Sequence, residues 1–139
     1  MAVSVSTIEK LIDLSKTALI GSIDAHGFPN VKAMLQPRLR KGLKEFYFTT
    51  NTSSMRVGQY IAQHKACIYF FDSIAFKGAM LVGNMDVMKD EETKKMIWKD
   101  GDELYYAKGV TDPDYCVLKF SSISGRFYSN FSSENFKIE

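Results

Sequence analysis

Short apolar runs broken by turn residues dominate the chain and predict strands, with helical spacing at only three places. Thr17 to Asp24 and Asn30 to Gln36 read as a strand pair around Asp24-Ala25-His26-Gly27, where Gly27 can take a positive φ. The second run puts Lys32, Met34 and Gln36 on one face and Val31, Ala33 and Leu35 on the other. Phe46 to Thr50 is aromatic and β-branched, and Ala66 to Phe71 is a dense apolar run that suits a buried strand. Phe76 to Met88 is a long strand expected to bend at Gly83, as strands do when a sheet curls. Tyr115 to Ser121 and Gly125 to Phe131 read as a closing pair around Ser122-Ile123-Ser124.

The helices are marked by their caps. Ser6-Thr7-Ile8-Glu9 fits a capping box, and Ile8, Leu11, Ile12 and Ser15 follow on one face. Val57, Tyr60 and Ile61 define a second helix that begins near Ser53 or Ser54. Asp90 caps a third, with Met96 and Ile97 inward and Trp98 at its end. Short hairpin links and six or seven strands predict a mainly β fold, a small antiparallel barrel with flanking helices.

Bulk numbers narrow the class. A chain of 139 residues fits one domain, 1–139, and 45% hydrophobic with 24% charged residues is ordinary for a globular protein. The 13% aromatic share leans the same way as the strand pattern. A formal charge of +2 does not point to nucleic acid or a membrane surface. MAVSVSTIEK lacks the pattern of a secretory leader, and no apolar run approaches the ~20 residues of a membrane span. Cys67 and Cys116 are then expected to be buried, reduced thiols in the cytoplasm. His26 and His64 have no partners at metal-ligand spacing.

Candidate chemistry centres on FYFTTNTSSMRVGQYIAQ, residues 46–63. A strand, a hydroxyl-rich turn and a helix start place unpaired amides, the positive end of the helix dipole and Ser54 together. Arg56 can set a planar guanidinium beside an anion held there. The same residues also fit an ordinary capped helix with a solvated arginine. Lys32 and Lys77-Gly78 are two further places with anion-binding potential, and Gly78 leaves room for close approach to its backbone. Arg38, Arg40, Lys41 and Lys44 around Gly42 suit a soluble loop tip. No G-x-S-x-G elbow, Cys–His pair or G-x-G-x-x-G after a strand is present. Anion sites without a side-chain nucleophile point to a phosphorylated cofactor that carries its own reactivity.

VKAML near residue 32, FYFTTNTSSMRV at 46–57, FKGAMLVG at 76–83, DPDYCVLKF and GRFYSNF, in this order, resemble the pyridoxamine 5′-phosphate oxidase-related flavoproteins. The short general-stress-protein type is the most similar. The resemblance implies a split β-barrel binding FMN between two subunits of a homodimer. It also implies cofactor-binding positions: Ser54, Met55 and Arg56 in the phosphate run, Thr49 and Thr50 on the strand before it. Lys32, Ala33 and Met34 would lie on the second strand, and Lys77 and Gly78 at the flavin edge. Met55 departs from the arginine often found at its place, which shifts charge neutralisation to Arg56 and Lys32. The segment that holds pyridoxal phosphate in the true oxidase is missing, so a flavin-dependent oxidoreductase acting on another small-molecule reductant or substrate is expected. No catalytic side chain is assigned. The alternative is a non-catalytic protein that binds flavin, deazaflavin or haem, or senses redox state.

Overall fold

The computed structural model describes residues 2–139 and builds eight strands into one antiparallel sheet. Four hairpins supply them: β1 (Thr17–Ile23) with β2 (Pro29–Leu35), β3 (Leu39–Lys41) with β4 (Glu45–Asn51), β5 (Lys65–Asp72) with β6 (Lys77–Met88), and β7 (Tyr115–Ser129) with β8 (Ser132–Lys137). The order across the sheet is β2-β1-β5-β6-β7-β4-β3, with β8 pairing β7. The sheet curls, yet its terminal strands β2 and β3 are not paired with each other among the described residues. That open seam makes the barrel a split one, and the mainly β class expected from the sequence holds.

Eight strands replace the six or seven expected. Ser122-Ile123-Ser124 is no turn: β7 runs unbroken through it for 15 residues. β7 carries a bulge instead: Val82 pairs with Ser124 and Gly83 with Ser122, so Ile123 is left without a partner on β6. A Cβ on Gly83 would meet the Ser121 carbonyl oxygen at 1.9 Å, so the bend needs a residue without one. The real turn is Asn130-Phe131, with φ of 49° and 62°, the backbone of a two-residue hairpin. β8 beyond it, SSENFK, is polar on its exposed face and buries only Phe136, which hides it from a hydrophobicity pattern.

The helices are α1 (Val5–Leu14), α2 (Met55–Ala62) and α3 (Glu91–Ile97). Ser4, not Ser6, caps α1 and accepts from the Thr7 amide at 3.1 Å. Glu9 is drawn away to Arg40 at 2.6 Å, and Arg40 also grips Asp13 at 2.7 Å. Thus Arg40 ties β3 to α1 rather than decorating a loop tip. Asp90 caps α3 as expected, accepting from Thr93 at 2.9 Å. Ile97 faces inward but Met96 is exposed. Lys94 takes the inward place, its ammonium 5.2 Å over the Tyr115 ring and its backbone oxygen accepting from the Tyr115 hydroxyl at 2.8 Å.

Two apolar clusters hold the sheet. Inside the curl, Ile8 and Ile12 of α1 and Val57 and Tyr60 of α2 close over Phe46, Phe48, Ile68, Phe70, Leu81 and Phe120. Outside β4 and β7, Tyr47, Tyr115 and Val117 pack under Ile97, Trp98 and Tyr106. Each buried aromatic contributes about 1.5–3 kcal/mol on area grounds. Trp98 serves packing: its ring lies 5.1 Å from Tyr115 and 6.1 Å from Tyr106.

Candidate functional site

β4 hands the chain to α2 through Asn51-Thr52-Ser53-Ser54, and the turn is held from outside by β7's approach. The Asp114 carboxylate accepts from the Asn51 side-chain amide at 2.9 Å and the Ser53 backbone N–H at 2.8 Å. The Thr52 amide donates to the Asp114 carbonyl at 2.7 Å. These hydrogen bonds, that of Asn51 first, hold the Asp114 carboxyl below the usual carboxylate range. With the turn fixed this way, Ser54 occupies the N-cap position of α2 but its hydroxyl caps nothing.

Ser54 Oγ is buried without a hydrogen-bond partner, and so is Arg56 Nε in the first turn of the helix. Buried polar atoms are nearly always satisfied, and leaving one unpaired costs about 1–3 kcal/mol. Two such donors at a helix N-terminus, where the free amides and dipole also favour an anion, form a cradle for one. Arg56 is not salt-bridged to any carboxylate among the described residues, and neither is Lys32.

The cradle opens on a cleft of about 340 Å³ along the split between β2 and β4. Lys32, Ala33 and Met34 line one wall, Thr49 and Thr50 the other, and Arg56 the end next to α2. Six of the expected positions therefore share one cavity. Neither Ser54 nor Met55 lines it: Ser54 stands two residues before Arg56 in the chain, and Met55 is 76% exposed.

Lys77 and Gly78 do not join them within the protomer. Lys77 lines a separate hollow of about 370 Å³ with Leu19, Tyr69, Phe71, Phe76 and Tyr128. Gly78 is buried, and a Cβ there would lie 1.9 Å from the Tyr69 hydroxyl oxygen. The space beside its backbone is thus taken by Tyr69, a correction to the expected opening for a ligand.

Other cleft residues carry no local sequence signal. Asp102, Tyr105 and Tyr106 arrive from the segment after α3 and complete the wall beside Arg38. Arg38 donates to Asp102 at 2.8 and 3.2 Å and to the Ile97 carbonyl at 2.9 Å, so it is a strut rather than a soluble charge. Burial pushes the Asp102 carboxyl up, but the hydrogen bonds from Arg38 and the Lys99 amide outweigh it and the net shift is downward. Burial pushes the Tyr106 phenol up to about 12. Arg38 and Asp102 stand 64 residues apart, and only knowledge of the β2–β3 corner meeting the loop after α3 would have paired them.

With Lys32 and Arg56 both lining it and neither salt-bridged among the described residues, the cleft suits a ligand with an anionic group. Ser54, Arg56, Lys32 and the helix start are donors an anion could use, and Asp114 is already engaged by Asn51 and Ser53. Among the described residues no three His, Cys, Asp or Glu side chains converge as a metal site. His26 and His64 are both exposed, outside the cleft.

The comparisons agree with this geometry. The family described as pyridoxamine 5′-phosphate oxidase like matches residues 4–138. A Clostridium acetobutylicum protein related to general stress protein 26 of B. subtilis, of the pyridoxinephosphate oxidase family, is 38% identical, with a TM-score of 0.88 over 96% of this chain and 94% of that one. A pyridoxamine 5′-phosphate oxidase-related, FMN binding protein from Nostoc punctiforme shares the fold at 11% identity, TM-score 0.74, over 96% and 95% of the two chains. A heme binding protein from Mycobacterium smegmatis shares it at 13% identity, TM-score 0.75, over 99% of this chain and 59% of that one. No curated protein matches the chain significantly. Family match and fold together lead to one statement: the chain belongs to the pyridoxamine 5′-phosphate oxidase-like family.

Proposed function

We propose that the chain is an FMN-dependent oxidoreductase that works as a homodimer with the cofactor between its subunits. The observation that carries the reading is the pair of buried, unpartnered donors, Ser54 Oγ and Arg56 Nε, at the start of α2. Lys32 adds a second cation across the cleft, and Thr49 and Thr50 line the path along β4. Bound FMN supplies the exchange of hydride or electrons at its ring. The chain's own part would be to hold the phosphate with Arg56, Ser54 and Lys32 and to seat the rest of the cofactor in the cleft between β2 and β4.

The outer face supports the dimer. β2 is an edge strand with Val31 and Leu35 71% and 77% exposed, and Phe28 just before it is 68% exposed. Apolar side chains along an unpaired edge favour burial against a second copy. Such a pairing is also what would bring Lys77 and its aromatic hollow to the cofactor, from the second subunit. Two free cysteines suit a cytoplasmic setting, and among the described residues no helix is long and apolar enough to cross a membrane.

The test is the visible absorption spectrum of the purified protein, before and after anaerobic NADH or NADPH. A flavin band that bleaches on reduction is expected. A haem band, or a colourless protein that takes up no added FMN, would overturn the reading.

A further inference from the structure

Tyr105 stands out among the cleft residues because nothing in the fold explains it. It is 69% exposed, although it lines the cleft. Its neighbour Tyr106 is 5% exposed and packs 4.8 Å from Tyr115, so Tyr106 belongs to the core. The segment that carries both is braced. Asp102 is clamped by Arg38 and also accepts from the Lys99 amide at 2.9 Å, while the Arg38 amide donates to the Tyr47 carbonyl at 2.7 Å. The Tyr105 backbone amide bonds back to Asp102 at 2.9 Å. A braced backbone thus presents one aromatic ring to a polar, cationic cleft.

Its place in the cleft is set by the chain that follows β2. Lys32 on that strand and Gln36 just past its end both line the cleft. Arg38 follows after Pro37, and the Asp102–Tyr105 turn is fastened to it. The cations Arg56 and Lys32 and the aromatic ring at Tyr105 thus line one cleft. A ligand that meets both has a phosphate and a flat ring.

We infer that Tyr105 stacks on the planar ring of the bound cofactor and covers its outward side, with Arg38 and Asp102 as the brace that positions it. This rests on the FMN reading above and adds a ring contact that none of the expected site residues supplies. An aromatic ring in van der Waals contact with a flavin quenches flavin fluorescence when that ring is an electron-rich phenol or indole. That gives a readout independent of turnover.

The experiment loads wild type, Tyr105→Leu and Tyr105→Trp with FMN and measures the dissociation constant by equilibrium dialysis and the fluorescence yield of the bound fraction. Tyr105→Leu is expected to raise the bound yield several-fold and to weaken binding roughly three- to tenfold. Tyr105→Trp is expected to stay quenched. Because Tyr105 is exposed, neither change threatens the fold. FMN bound by wild type and Tyr105→Leu with the same yield and affinity would overturn the contact while leaving the cofactor reading intact. Failure of the wild type to take up FMN would overturn both.

Discussion

The Asp114 carboxylate meets the Ser53 amide at 2.8 Å, and this one hydrogen bond across 61 residues frees the next residue, Ser54, from its usual duty as a cap. An N-cap serine ordinarily spends its oxygen on the amides of its own helix. Here Asp114, just before β7, holds the turn instead, and the buried Ser54 hydroxyl is left without a partner among the described residues. Asp114→Ala is expected to loosen the turn, lower the urea midpoint and weaken FMN binding together. Stability and affinity unchanged from wild type would mean that the turn is fixed by other contacts.

The clamp between Arg38 and Asp102 predicts a pH dependence. The folded Asp102 carboxyl titrates below its unfolded value of about 3.9, so its contribution is full above that pH and is lost as pH falls through the folded value. With side chains only 18% and 8% exposed, breaking the pair leaves a poorly hydrated arginine, and Asp102→Asn is expected to cost about 2–4 kcal/mol near neutrality. Urea unfolding from pH 7 down to 3 checks this. The gap between wild type and Asp102→Asn should narrow in acid, and a constant gap would contradict the assignment.

Two glycines on β6 offer a graded test of packing. A Cβ on Gly83 strikes the Ser121 backbone oxygen at 1.9 Å, whereas one on Gly78 strikes the hydroxyl end of Tyr69 at the same distance. Backbone cannot step aside at a bulge, but a half-buried tyrosine can swing. Gly83→Ala is expected to cost about 3 kcal/mol or more and Gly78→Ala about 1–3 kcal/mol. Tyr69→Ala should recover part of the Gly78→Ala loss but none of the Gly83→Ala loss, a coupling that denaturant melts of the double variants read directly.

Much of the fold was legible in the residues, because the strands and caps obey local rules. Phe46–Thr50, the Asp90 cap and the bend at Gly83 all stand where pattern and propensity put them. The failures are those of local reasoning meeting distant partners. Ser122-Ile123-Ser124 looks like a turn but is carried through as strand, because Ser122 and Ser124 pair with β6 and Ile123 is absorbed as a bulge between them. SSENFK looks like a loop because β8 lies at the sheet's margin with one buried side chain. The cation cluster around Gly42 dissolved in the same way, since Glu9, Asp13 and Asp102 lie far away in sequence. At the site, the strand–turn–helix around Ser54 follows from its own residues, and the resemblance directs attention to Lys32. Asp114, Arg38 and Tyr105 arrive from elsewhere in the barrel and leave no mark near the motif.

Phosphate capture at Ser54 and Arg56 is the claim on which the functional reading stands, and FMN against riboflavin isolates it because the two differ only in the phosphate. Titration of the apoprotein with each, in wild type and Arg56→Ala, reads the difference directly. Charged hydrogen bonds are worth about 1.5–3 kcal/mol each, so wild type should prefer FMN by roughly two orders of magnitude, and Arg56→Ala should lose about 1.5–3 kcal/mol of FMN binding while leaving riboflavin nearly unchanged. Equal affinity for the two flavins, or an Arg56→Ala variant that binds FMN as wild type does, would contradict the account.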